Sequence, residues 1–162
     1  MKLTLLLLLG LIMLFVLFMA VTITFLLKLI IRTAPEDIRE IIMKRPDPPV
    51  GHTVTGVILA VVILALIAGV IVYAGYDARN THMSFGQTFM RFLILFEGYK
   101  VFDMVVFDWL LLTKLNVYQT LFPETAGCKG YEQFGFNLNS QLVKLVLFAG
   151  LAALAAYVSV GM

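Results

Sequence analysis

This sequence predicts an all-α polytopic membrane protein, four transmembrane helices in one bundle, and three observations carry the prediction. Hydrophobic residues fill 61% of 162 positions, against roughly 45–50% in a soluble domain. The mean hydropathy is +0.98, more apolar surface than a chain of this size can hide from water, so a bilayer must supply part of the solvent. The apolar residues also form four continuous runs instead of alternating. Alternation would signal a β-barrel; continuous runs require helices, which satisfy their own backbone groups in hydrocarbon. One membrane domain, 1–162, uses the whole length.

The first span covers about 3–31. Leu3 to Leu27 is 25 residues without a charge, longer than the ~20 that cross the hydrocarbon core. Lys28 snorkels at its end while Leu29, Ile30 and Ile31 complete it. A signal peptide is the competing reading, but its apolar region is only roughly 7–15 residues and ends at a small-residue cleavage site. The second span, about 54–76, ends in Tyr73 and Tyr76, whose amphipathic rings suit an interface. The third, about 89–113, closes on Trp109 and Lys114. The fourth, about 142–160, is interrupted only by Lys144. Small-xxx-small pairs in spans two and four (Gly56/Ala60, Ala65/Gly69, Ala149/Ala153, Ala152/Ala156) allow close helix approach, inside the bundle or in a homo-oligomer.

Positive charge orients the spans. Lys28, Arg32, Arg39, Lys44 and Arg45 lie in the first connection, with Lys114, Lys129 and Lys144 in or beside the third. Lys2, Arg79 and Arg91 lie on the other side. This bias puts both longer connections in the cytoplasm and both termini outside. In the first connection, Thr33-Ala34-Pro35-Glu36 reads as a helix start, with Thr33 and Glu36 spaced as a capping box. Ile38, Ile41 and Ile42 line one face, and Pro46, Pro48 and Pro49 stop the helix. The 33–50 segment therefore reads as a short amphipathic helix on the membrane surface, or as a docking site for a membrane or cytosolic protein partner. The third connection, 116–139, gathers Tyr118, Phe122, Tyr131, Phe134 and Phe136 among helix-breaking Pro123, Gly127, Gly130 and Gly135. Those aromatics suit an interfacial belt, or a lid packed on the inner mouth of the bundle.

The third span is apolar enough to cross a membrane and yet carries Glu97, Lys100, Asp103 and Asp108. An ionisable group at bilayer depth costs roughly 2.5–3.5 kcal/mol on insertion scales, so such groups pair, face water or do work. At ~100° per residue all four fall within an arc of about 140°, with Asp103 and Asp108 at its two edges. Lys100 lies three residues from both Glu97 and Asp103, within pairing reach. Lys144 is the candidate ion-pair partner for Asp108, with Lys28 the alternative. Either the stripe is a structural network that selects helix partners, or it lines a path for an ion, a proton or a polar substrate.

Composition excludes several classes. A formal net charge of +2 gives no footprint for nucleic acid. A single cysteine, Cys128, rules out an internal disulfide and any paired-cysteine site. Lys129 beside it would favour its thiolate form. His52 and His82 fall on opposite sides of the membrane, so neither metal nor cofactor is implied. No HExxH, glycine-rich phosphate loop or GxSxG stretch is present, which ranks a non-enzymatic role first.

The run from Phe102, Asp103 and Met104 through Val105, Val106, Phe107, Asp108 and Trp109, with Lys114 and then Pro123-Glu124-Thr125, resembles a group of small uncharacterised bacterial multi-span membrane proteins. These share an FDxxxxDW-like stretch before a basic, proline-containing loop. The resemblance covers roughly the C-terminal half and implies a bacterial inner-membrane location and a single four-helix unit. It implies no activity. The expectation is thus an integral membrane protein, transport-related or an accessory subunit, centred on the stripe. A membrane-embedded enzyme acting on a lipid, or a scaffold for a cytosolic partner, is the alternative.

Overall fold

The computed structural model describes residues 1–115, 117–132 and 138–161. Phe134, Gly135 and Phe136 of the aromatic connection lie outside them. Every regular element among the described residues is helical. The chain runs through α1 (Lys2–Phe25), α2 (Leu27–Ile30), a 3₁₀ turn (Ile31–Thr33), α3 (Glu36–Met43), α4 (Val50–Asn80) and α5 (Phe85–Phe102). A π-helical segment (Asp103–Lys114), α6 (Val117–Leu121), two 3₁₀ turns (Pro123–Thr125 and Lys129–Glu132) and α7 (Leu138–Val160) follow. Among the described residues, three helices are long and apolar enough to cross a membrane: Lys2–Phe25, Val50–Asn80 and Asn139–Val160.

The hydropathy runs find the helices but not their ends. α4 extends four residues beyond each limit of the expected 54–76, because its polar ends, His52 and Thr53 at the start and Asp77 to Asn80 at the finish, are helical without being apolar. α1 stops short of the expected 31. The Thr22 hydroxyl donates to the carbonyls of Phe18 (2.9 Å) and Met19 (3.0 Å), a back-bond that bends helices. Leu26 then leaves helical geometry at φ −126°, ψ 30°. α3 begins at Glu36 with Pro35 at its N-cap; the side chain of Thr33, the other member of the expected capping box, lies outside those described. The segment expected as 89–113 begins at Phe85, where Ser84 and Gln87 form a true capping box. Gln87 N–H donates to Ser84 Oγ (3.3 Å) and Ser84 N–H to Gln87 Oε1 (3.0 Å).

The chain divides into two compact units: 1–16 with 63–102 and 137–162, and 17–62 with 103–136. The first is a helix assembly around Leu11, Ala74, Phe92, Leu95, Ala152 and Ala156. In it α5 and α7 pack antiparallel along their length: Phe92 lies beside Gly75 and Ser159, while Phe96 and Tyr99 meet Phe148. A small residue also lets α4 come close to α7, since a Cβ on Gly75 would sit 2.6 Å from Ser159 Oγ. The second unit is built around Ile31, Ile38, Ile42, Phe122 and Tyr131. α3 therefore spends its apolar face inside the chain, on the two 3₁₀ turns of the later connection.

Candidate functional site

The charged stripe begins in α5. Lys100 is 3% exposed and Glu97 is half-buried; both belong to the first unit. At Asp103 the winding changes and the remaining two carboxylates fall in the second unit. The Leu115 N–H donates to the Leu110 carbonyl at 2.9 Å, five residues back. Such i→i+5 turns take more residues than an α-turn, so each residue rotates by less than ~100°. Residues five apart then return toward one face. Asp103 and Asp108 are five apart, and the wide separation that α-helical geometry predicts for them does not apply.

The later connection closes on this segment. α6 and the Lys129–Glu132 turn both pack against the π-helical stretch. Tyr118, on α6, is half-buried. Its hydroxyl is pushed up to about 12, first by burial and then by the negative charges of Asp108 and Asp103, with a smaller contribution from Tyr131. The two carboxylates thus share one tyrosine neighbour. At the far end of the segment Lys114 Nζ lies 5.9 Å from the Trp109 ring centroid, a geometry that lets the ammonium face the ring.

Polar ties bind the two connections together. Asp37 Oδ2 accepts from the Gly130 N–H at 2.9 Å, and Asp37 Oδ1 from the Ile38 N–H at 2.9 Å. Arg45 Nε donates to Glu124 Oε1 at 2.5 Å while its guanidinium carbon lies 4.9 Å from the Phe122 ring centroid. That hydrogen bond holds the Glu124 carboxyl below its ordinary range. Lys28 pairs with Asp47 at 2.6 Å, pinning the proline-rich linker. The hydroxyls of Tyr131 and Thr125 meet at 2.6 Å in a buried pair. Burial and the Asp37 carboxylate push the Cys128 thiol up, the reverse of the activation expected from Lys129.

Other expected and unexpected residues lie elsewhere. Lys144 is exposed on α7 in the first unit. A second charged pair escaped sequence reasoning: Arg91, 6% exposed, donates through one terminal nitrogen to Asp77 Oδ2 (2.7 Å) and to the Ala74 carbonyl (3.0 Å). Its residues come from α4 and α5, and nothing short of the turn between those helices reveals the pairing. His82, read as an ordinary surface residue, has φ +51° and occupies the C′ position of α4. Met83 N–H donates to the Ala78 carbonyl (3.0 Å) and His82 N–H to that of Arg79 (3.1 Å), the bond pair of a Schellman motif.

Two carboxylates and a tyrosine around a π-helical turn can hold a cation or exchange protons, and π-turns recur at functional sites. Among the described residues no group of three or more histidine, cysteine or acidic side chains is placed to hold a metal ion. Comparisons of the chain with protein-family models, with curated proteins and with solved structures found no match.

Proposed function

We infer that the chain is an integral membrane protein of four spans in one bundle, the third being the charged stretch 85–114. Its work would be done at a polar centre on that span, as a transport-related protein or an accessory subunit. Support for insertion comes from the surface. Leu6 is 65% exposed and Val146 75%, and apolar side chains stay uncovered along α1, α4 and α7. Water would penalise that surface by about 25 cal/mol per Å², while lipid would not. Membership of the two units supports the topology. Both long connections fall in one, and both termini with the 81–84 turn fall in the other, as four spans require. Seven of the twelve basic residues lie in the unit that holds the connections, which favours a cytoplasmic face for them and an outside location for the termini. The FDxxxxDW-like resemblance adds a bacterial inner membrane as the location.

The observation that carries the polar-centre reading is the switch to π winding at Asp103, which turns Asp103 and Asp108 toward a common side near Tyr118. The test is pH-dependent labelling of the folded, detergent-purified protein with a water-soluble carbodiimide. Labelling of Asp103 or Asp108 that falls away as pH rises identifies a wet, titrating site, and Asp103→Asn would then abolish function with folding retained. Labelling only after denaturation would show a sealed network and end the transport reading.

A second reading draws on the same switch. Carboxylates on one side suit a membrane-embedded enzyme acting on a lipid headgroup, which strict α-helical geometry disfavoured. It predicts lipid turnover that is lost in Asp108→Asn. The thiol version of that enzyme is weaker, because Cys128 is pushed away from thiolate. A scaffold built on the apolar face of α3 must contend with Ile38 and Ile42, 3% and 0% exposed, being already covered.

A further inference from the structure

The geometry points to a latch: the two connections, interlocked through α3, close over the π-helical segment and control aqueous access to Asp103 and Asp108. The inference rests on the polar-centre reading and deepens it by naming what regulates the site. Three layers of contact lie in one compact unit. α6 and the Lys129–Glu132 turn pack on the π-helical stretch, and α3 packs on the outside of that turn and of the Pro123–Thr125 turn. The layers share one apolar core, in which Ile38 and Ile42 meet Phe122 and Tyr131, with Tyr118 packed at its edge.

The fastening is asymmetric. The apolar core is fully buried, whereas the outer ties are polar and solvent-facing. Arg45 and Glu124 are each more than a third exposed, and exposed ion pairs contribute little to stability. One backbone tie, Gly130 N–H to Asp37, lies at the tightest point: a Cβ on Gly130 would sit 2.5 Å from Pro35 Cβ and 2.6 Å from Asp37 Oδ1. Weak polar ties around a preformed apolar seat suit an element that opens and recloses as a unit.

The experiment tethers the latch. In full-length Cys128→Ser protein, Arg45→Cys and Glu124→Cys are joined by a short, reducible thiol cross-linker, and water-soluble carbodiimide labelling is read by peptide mass. Asp47, 86% exposed, serves as the control carboxylate. A latch predicts that labelling of Asp103 and Asp108 is lost in the tethered protein and returns on reduction, while Asp47 is unchanged. Equal labelling in both states overturns the latch and leaves the polar centre standing. No labelling in either state overturns both. Asp37→Ala, which removes the Gly130 tie without a cross-linker, is the independent check. Its labelling at Asp108 should rise above that of the native chain, and an unchanged rate also counts against the latch.

Discussion

His82 shows how one backbone angle sets a stability margin. A side chain at φ +51° costs roughly 1–2 kcal/mol in the left-handed region, a cost glycine escapes. His82→Gly should therefore stabilise the protein by about 0.5–1 kcal/mol after the extra chain entropy of glycine is counted, visible as a higher melting midpoint. Arg91 and Asp77 carry an opposite lesson. Removing one member of a buried pair leaves the other charge uncompensated, at about 3–5 kcal/mol. Arg91 is the deeper partner, with its side chain 7% exposed against 21% for Asp77. Asp77→Ala should thus cost about 3 kcal/mol, and Arg91→Leu clearly less, by denaturant titration in detergent. Equal losses would contradict that assignment of depth.

At the scale of elements, the helices were legible in the sequence and their winding was not. Continuous apolar runs reveal α1, α4 and α7 because hydrocarbon burial acts on every side chain of a span. The i→i+5 register at Asp103–Lys114 leaves no such imprint, since it depends on which carbonyl each N–H reaches. The facing of Asp103 against Asp108 was lost with it. The Ser84 and Gln87 capping box, which starts α5 ahead of the expected 89, went unread because the span limits follow apolar residues alone. α6 yields a pH prediction. Tyr118 is raised from an ordinary value near 10 to about 12, so its contribution to stability is complete below about pH 10 and is lost as pH rises through about 12. Melting midpoints taken from about pH 9 upward should fall less steeply in Tyr118→Phe than in the native chain. Parallel curves would mean that neither burial nor the charges of Asp108 and Asp103 hold the Tyr118 hydroxyl up.

For the whole molecule the prediction is topological. Single cysteines introduced at Asp47 and Ala126, in a Cys128→Ser background, should react with an impermeant thiol reagent from the same side of a sealed vesicle, and one at Asn80 only from the other. Asp47 and Ala126 both lie in the unit of the connections, and Asn80 lies in the unit of the termini. Charge counting alone carries that orientation, because Lys28, Arg32, Arg39, Lys44 and Arg45 crowd one connection. The interlocking of the connections was beyond it, since Arg45 meets Glu124 and Asp37 meets Gly130 across 79 and 93 residues.

Those separations bear on how the protein is made. Translation adds roughly 5–20 residues per second, so α3 leaves the ribosome about 5–20 seconds before the turn that covers it. For that interval Ile38 and Ile42 lack Phe122 and Tyr131, the side chains they pack with in the folded unit. The amphipathic pattern that the sequence shows in α3 serves contacts within the chain, because its apolar face packs on the turns of the later connection.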